Sequence, residues 1–175
     1  MNETLHAILT RRSVRSYTPE MPKKEDLEKI VEAGLYAASG KGGQSSLIVA
    51  VTDKALRDRL MDWNRKIGGW AEDFDPFYGA PAVLLVLAKK DTPFTVADGS
   101  LTMGNMMLAA HALGLGSCWI NRAKEAFETE EGKALLRDLG VEGEYEGVGH
   151  CIVGYPQGEI PQPKARREGR VVWVE

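Results

Sequence analysis

The stretch Val83-Leu84-Leu85-Val86-Leu87 is the most informative part of this sequence for the fold. Five consecutive apolar residues are typical of a strand that is buried on both faces. A second short apolar run, Leu47-Ile48-Val49-Ala50-Val51, predicts another strand. Since a strand without a polar face needs packing on each side, we expect an α+β fold, a mixed α/β sandwich in which helices flank a central sheet.

Other elements follow from the spacing of apolar residues, every three or four positions in a helix and in short runs in a strand. Residues 98–113 are apolar almost all round, so this helix is expected to lie centrally or in an oligomer interface. No linker or internal repeat divides the chain, and residues 1–175 are expected to form one domain. The remaining predicted elements are helices over residues 5–9, 27–38, 54–67 and 129–139, and strands over residues 117–120 and 147–155.

Charge and composition restrict the partners and the compartment. The chain carries 22 basic and 25 acidic residues, a formal net charge of -3, which gives no general field for nucleic acid or anionic lipid. The N-terminal residues lack the apolar core of a secretory signal, and no apolar run is long enough to span a bilayer. We therefore expect a cytoplasmic protein that binds neither nucleic acid nor membrane. Its two cysteines, Cys118 and Cys151, are expected to remain free thiols.

Two basic clusters are candidates for an anion site. Residues 10–16 place three guanidiniums and two serine hydroxyls at a predicted helix end, and residues 164–167 form a second basic cluster in a proline-rich loop. The alternatives are a solvated helix terminus for the first cluster and a solubilising tail for the second. A ligand site is indicated only if the two clusters converge in the folded chain.

Motifs that would carry catalysis by the protein itself are missing. The glycine-rich residues 40–46 lie between a predicted helix and a strand, an order that excludes a Walker loop and leaves a ligand-contacting loop or a plain flexible one. Gly114-Leu115-Gly116 lacks the third glycine of the dinucleotide fingerprint. No cysteine and histidine pair has zinc-ligand spacing, and no serine or cysteine has the context of a nucleophile. Any chemistry must therefore come from a bound cofactor.

Five segments of the chain resemble one known family in the same order. They are residues 7–15, the segment 38–40 with Gln44, residues 77–81, residues 110–120, and residues 153–156 followed by 163–166. This set is similar to the nitroreductase-like FMN-dependent oxidoreductases. The resemblance implies a homodimer with FMN in a cleft at the subunit interface and a C-terminal tail that packs on the partner subunit. It also implies hydride transfer from NADH or NADPH through flavin N5 to a small-molecule acceptor, namely a nitroaromatic, a quinone or a flavin.

The resemblance also assigns residues to the cofactor site, none of them as a catalytic group, because the flavin carries the chemistry. Ser39 and Gly40 are assigned to the FMN bound by the partner subunit. The residues assigned to the phosphate and the ribityl chain are Arg11, Ser13, Lys164 and Arg166. Those assigned along the chain and at the flavin ring are Arg12, Arg15, Asn64 and the backbone of Trp119, Ile120 and Asn121.

The chain departs from the family in the loop that reaches the partner subunit. Family members often carry Ala-Pro-Ser and Asn-x-Gln-Pro-Trp there, whereas this chain has Ala38, Gly42, Ser45 and Ser46 at the differing positions. The acceptor is therefore not predicted. Two alternatives stay open, an FMN-dependent dehydrogenase of another substrate and a flavin-binding or sensing protein without turnover.

Overall fold

A four-stranded sheet forms the centre of the protein. The computed structural model describes residues 2–175, and its order of strands across the sheet is β1-β2-β4-β3, with every neighbouring pair antiparallel. The strands are β1 (Ser46–Val51), β2 (Ala82–Lys89), β3 (Gly116–Ile120) and β4 (Tyr145–Gly154). β2 is buried along its whole length except at Lys89, as its apolar sequence predicts.

Helices cover both faces of this sheet, which confirms the predicted sandwich. On one face, Leu85 of β2 belongs to a core with Leu60 and Phe127, and on the other face Leu84 belongs to a core with Ile30 and Met103. Within residues 2–175, no helix combines the length and the apolar character needed to cross a membrane. The helices are α1 (Glu3–Thr10), α2 (Lys24–Leu35), α3 (Lys54–Gly68), α4 (Thr95–Ala112), α5 (Ala123–Glu128) and α6 (Glu130–Asp138).

Two of the helices show where pattern reading and structure differ. α5 is not predicted from the sequence, because six residues are too few to display a helical period. α4 begins at Thr95, three residues before the predicted start. One part of its apolar surface packs on the sheet, where Met103 and Met106 are buried. Another part faces outward, where Leu101 is half exposed. The exposed part of α4 is therefore available to another molecule.

A buried histidine lies in the centre of the sheet. His150 of β4 is paired with Ile120 of β3 and Leu85 of β2, and its ring lies 5.3 Å from that of Phe77, centroid to centroid. Burial lowers the pKa of His150 from 6.5 to about 4, against the weaker opposing effect of the neighbouring backbone. His150 is therefore neutral in the folded protein at pH 7.

This histidine should make the protein less stable in mild acid. The unfolded chain binds a proton at His150 below about pH 6.5, whereas the folded chain binds one only near pH 4. The stability of the folded state that depends on neutral His150 is therefore complete above pH 6.5 and is lost as the pH falls through 4. The loss is expected to reach about 3 kcal/mol. Urea unfolding of wild type and His150→Leu across this window measures it. The His150→Leu variant should have the flatter profile, whereas the exposed His6→Leu control should follow wild type.

Candidate active site

The two basic clusters converge on one groove of about 720 Å³. The segment after α1 runs beside β3, where the Val14 N–H donates to the Ser117 carbonyl at 3.0 Å, and then beside the end of β4, where the Thr18 N–H donates to the Tyr155 carbonyl at 3.0 Å. The chain that follows β4 returns past this segment. The groove is lined by Arg12, Ser13, Arg15 and residues 161–168 and Arg170.

The charge of the groove suits a phosphate group. Its lining contains six cationic side chains and one carboxylate, Glu168. Among residues 2–175, none of these six cations forms an ion pair with a carboxylate. In addition, Arg12 Nε is buried without a hydrogen-bond partner, and so is Nη1 of the neighbouring Arg11, which does not itself line the groove. Buried donors are normally satisfied, so these atoms fit an anionic ligand with several acceptor oxygens.

A smaller pocket of about 190 Å³ shares Arg15 with the groove. Trp119, Ile120 and Asn121, at the end of β3, form one wall of it, and Cys118 lies beside them. The pocket therefore offers aromatic side chains and backbone polar groups next to a cationic groove. That combination fits a phosphorylated heterocycle such as FMN, with the phosphate in the groove and the ring in the pocket.

The structure places Asn64 behind this pocket. Its side chain is fully buried, and Asn64 Nδ2 donates to the Asn121 carbonyl at 2.7 Å. Asn64 Oδ1 is buried without a partner. The direct contact with the flavin implied by the resemblance stays a prediction; in this structure the amide is covered and its donor is used inside the protein. Asn64 holds the backbone that forms the wall of the pocket.

Asn64→Asp should destabilise the protein strongly at neutral pH. The substitution keeps the shape but places a buried carboxylate against the Asn121 carbonyl, which should cost about 3 kcal/mol or more in free energy of unfolding. Because burial raises the pKa of such a carboxyl group, the deficit should shrink as the pH falls toward 4.

Urea unfolding at pH 7 and pH 5 measures the effect of Asn64→Asp. Asn105→Asp is the matched control, because Asn105 Nδ2 also donates to a backbone carbonyl, that of Ala33 at 3.1 Å, from a less buried position. Equal losses of stability in the two variants, or a deficit that does not depend on pH, would contradict this role of Asn64.

Ser39 and Gly40 line neither the groove nor the pocket. Their loop is fixed to α4, since the Gly40 N–H donates to Asp98 Oδ1 at 2.8 Å and the Ser45 hydroxyl donates to Asp98 Oδ2 at 2.7 Å. A Cβ atom at residue 40 would lie 2.1 Å from the Phe94 ring, so only glycine fits this close contact. These contacts give the loop a defined shape, but the loop lies away from the cavities of its own chain.

Sequence reasoning missed several residues that line the cavities. Arg170 lines the groove just outside the predicted cluster at residues 164–167, and Trp70, Tyr78 and Arg122 line the pocket. Arg170 continues that basic run, so composition could have suggested it. Tyr78 and Arg122 have a left-handed backbone, with φ of 53° and 72°. No pattern of residue types reveals a positive φ at a tyrosine or an arginine.

Comparisons with known proteins agree with the fold. A model described as "Nitroreductase family" matches residues 8–155. A nitroreductase with bound FMN from Bacteroides fragilis NCTC 9343 is 30% identical, with 100% of both chains covered and a TM-score of 0.89. One with bound FMN from Desulfitobacterium hafniense DCB-2 is 26% identical, with 100% of both chains covered and a TM-score of 0.88. An NADPH-flavin oxidoreductase of Vibrio harveyi is 30% identical over 98% of this chain and 73% of its own length. The chain belongs to the nitroreductase family.

Proposed function

We propose that the protein is an FMN-dependent NAD(P)H oxidoreductase. The observation that carries this proposal is the convergence of Arg12, Ser13 and Arg15 with Lys164 and Arg166 in one groove, although the two clusters are far apart in the sequence. The FMN bound in the two similar nitroreductase structures supports the choice of cofactor, and the NADPH-flavin oxidoreductase supports the choice of reductant.

The residues of this chain bind and orient the cofactor. Arg166, Lys164 and Ser13 in the groove, together with Arg11 of the same N-terminal cluster, would hold the phosphate, and Arg12 would hold the ribityl chain. Arg15, which lines both cavities, would stabilise negative charge near the pyrimidine of the bound flavin. Bound FMN supplies hydride acceptance from NADH or NADPH at N5 and two-electron delivery to a small acceptor. Asn64 keeps the backbone at Asn121 in place beside the ring.

The experiment that tests this function uses the absorbance of the purified protein. The protein should be yellow, and its band at about 450 nm should bleach when NADH or NADPH is added without oxygen, because the cofactor carries the redox chemistry. Adding a nitroaromatic or a quinone should restore the colour. A colourless protein that does not take up added FMN would contradict the cofactor, and a yellow protein that neither nucleotide bleaches would contradict the activity.

We further propose that each site is shared between two copies of the chain. Ser39 and Gly40 lie outside the cavities of their own chain, so a contact with FMN requires a second subunit. Lys41 and Gln44 of the same loop have φ of 56° and 47°, and such strain in non-glycine residues is concentrated at functional sites. A two-fold dimer brings the loop of each subunit to the groove of the other.

Apolar surfaces support the dimer and suggest where the C-terminal tail binds. Residues 171–174, Val-Val-Trp-Val, are 66–93% exposed, and α1 exposes its leucine and isoleucine side chains. An apolar groove of about 710 Å³, lined by Leu27, Val31 and Leu35 of α2 and by Ala50 of β1, lies at the edge of the sheet. The tail of the partner subunit can occupy this groove beside the edge strand.

Removing residues 171–175 should weaken the dimer. Because tryptophan side chains are frequent energetic centres of interfaces, we expect the dimer dissociation constant to rise at least about tenfold. Sedimentation equilibrium measures this constant directly. Ile160→Ala, which also removes an exposed apolar side chain from the C-terminal segment, is the matched control. An unchanged dissociation constant in the truncated protein would place the tail outside the interface.

A further inference from the structure

The turn that leads into β2 has a backbone conformation that one of its residues disfavours. Tyr78 and Gly79 occupy its central positions with φ of 53° and 76°, and the Ala80 N–H closes the turn by donating to the Phe77 carbonyl at 2.9 Å. A positive φ at both central positions is the pattern of a type I′ turn, which prefers asparagine followed by glycine. Gly79 fits this pattern, whereas a left-handed tyrosine costs free energy and persists only where other contacts fix it.

The carboxylate of Asp75 fixes this turn. Asp75 Oδ1 accepts from the Phe77 N–H at 2.6 Å, and Asp75 Oδ2 accepts from the Gly79 N–H at 2.9 Å. The Asp75 carbonyl accepts from the Tyr78 N–H at 3.0 Å. Three consecutive N–H groups therefore donate to one residue, and these bonds stabilise the backbone in which Tyr78 is left-handed.

Arg57 of α3 fastens the turn to the body of the protein. Its side chain is buried, Nη2 donates to Asp75 Oδ2 at 2.6 Å, and Nε donates to the Ala80 carbonyl at 3.0 Å. Its Cζ atom lies 5.5 Å from the centre of the Phe77 ring. One planar guanidinium thus binds both ends of the turn, which the compact ammonium of a lysine could not do in the same way.

The result of this arrangement at the small pocket is the position of the Tyr78 side chain. Tyr78 is half-buried and lines the pocket together with Arg15 and the wall at residues 119–121. Its neighbour Phe77 is fully buried in the core, with its ring 5.3 Å from that of His150. The core contact of the turn is therefore made by Phe77, and the strained residue beside it serves the pocket.

We propose that Tyr78 is a binding residue for the flavin ring and that Asp75 and Arg57 are the positioning residues that hold it in place. This inference rests on the proposed function, in which the small pocket receives the ring. An aromatic side chain beside a planar heterocycle contributes dispersion and stacking. Asparagine would suit the turn better but has no ring, so a tyrosine at residue 78 favours the ligand contact over the stability of the turn.

Two substitutions at residue 78 separate the ring from the backbone strain. Tyr78→Asn and Tyr78→Ala both remove the ring, but asparagine tolerates a left-handed backbone better than alanine does. In fluorescence titrations of flavin-free protein, both variants should bind FMN about tenfold more weakly than wild type. Without flavin, Tyr78→Asn should melt at a higher temperature than Tyr78→Ala. Tyr78→Phe, the conservative variant, keeps the ring and should restore the wild-type affinity.

A double-mutant cycle tests the positioning role. Asp75→Asn keeps the shape of the side chain but removes its charge and one acceptor, so it should weaken FMN binding at least about threefold when Tyr78 is present. In the Tyr78→Asn background, the same substitution should lower the melting temperature and leave the affinity for FMN unchanged. Arg57→Lys is a milder second variant and should behave in the same way, because lysine keeps the charge but loses the planar fork.

Three results would overturn the inference in a protein that binds FMN. They are an unchanged affinity in Tyr78→Asn, an affinity that follows the melting temperature across the variants of residue 78, and a loss in Asp75→Asn that is equal with and without the Tyr78 ring. Loss of affinity in Tyr78→Phe would overturn the assignment to the ring. Wild type that binds no FMN would overturn the proposed function itself, so the two failures are distinguishable.

Discussion

Arg11→Ala combined with Arg166→Ala is expected to empty the protein of FMN. The two residues come from the two basic clusters, Arg11 with a buried guanidinium nitrogen that lacks a partner and Arg166 in the lining of the groove. Charge-assisted hydrogen bonds contribute about 1.5–3 kcal/mol each, so the dissociation constant for FMN should rise at least about 100-fold. Fluorescence titration of the flavin-free protein measures this constant.

Riboflavin separates the contribution of the phosphate from that of the ring. Since riboflavin lacks the phosphate, its affinity should change little in the double variant. Arg59→Ala with Arg137→Ala is the control, because it removes two exposed guanidiniums, on α3 and α6, that belong to neither basic cluster. An unchanged affinity for FMN, or an equal loss of affinity for riboflavin, would show that the groove does not bind the phosphate.

Flavin content should partly recover when two different defective subunits are combined. Ser39→Asp provides the second defect, because aspartate still offers an acceptor to the Gln44 N–H while adding charge and volume to the loop. Gly40 is left unchanged, since any side chain there would meet the Phe94 ring of its own subunit. Homodimers of Ser39→Asp and of the double arginine variant should each bind FMN poorly.

The expected amount of recovery follows from the symmetry of the dimer. A mixed dimer contains one site with both defects and one site with neither, and random pairing makes about half of the dimers mixed. Refolding the two variants together should therefore restore FMN to about a quarter of the wild-type content. Differential tags verify that mixed dimers have formed. If tagged mixed dimers contain no flavin, each site is formed by a single chain and the proposal of a shared site is wrong.

Much of the fold can be predicted from the sequence because buried segments show a recognisable local pattern of apolar residues. The apolar run at residues 83–87 forms the buried strand β2, and the helix predicted over residues 54–67 is α3, where Asp53 caps the first turn by accepting from the Leu56 N–H at 2.8 Å. α5 could not be predicted, since its six residues are helical only because they pack against α6 and β4. Short elements of this kind depend on neighbours that are distant in the sequence.

The features of the candidate site likewise fall into those that the sequence predicts and those that only the structure shows. The residue types alone determined that two basic clusters exist, that no residue has the context of a nucleophile, and that a cofactor must supply the chemistry. Only the tertiary structure decided that the clusters share one groove, that Asn64 is buried behind Asn121, and that Arg122 lies over Trp70. The physical reason is that charge and hydrophobicity belong to each residue, whereas convergence, burial and a left-handed backbone arise from packing among distant parts of the chain.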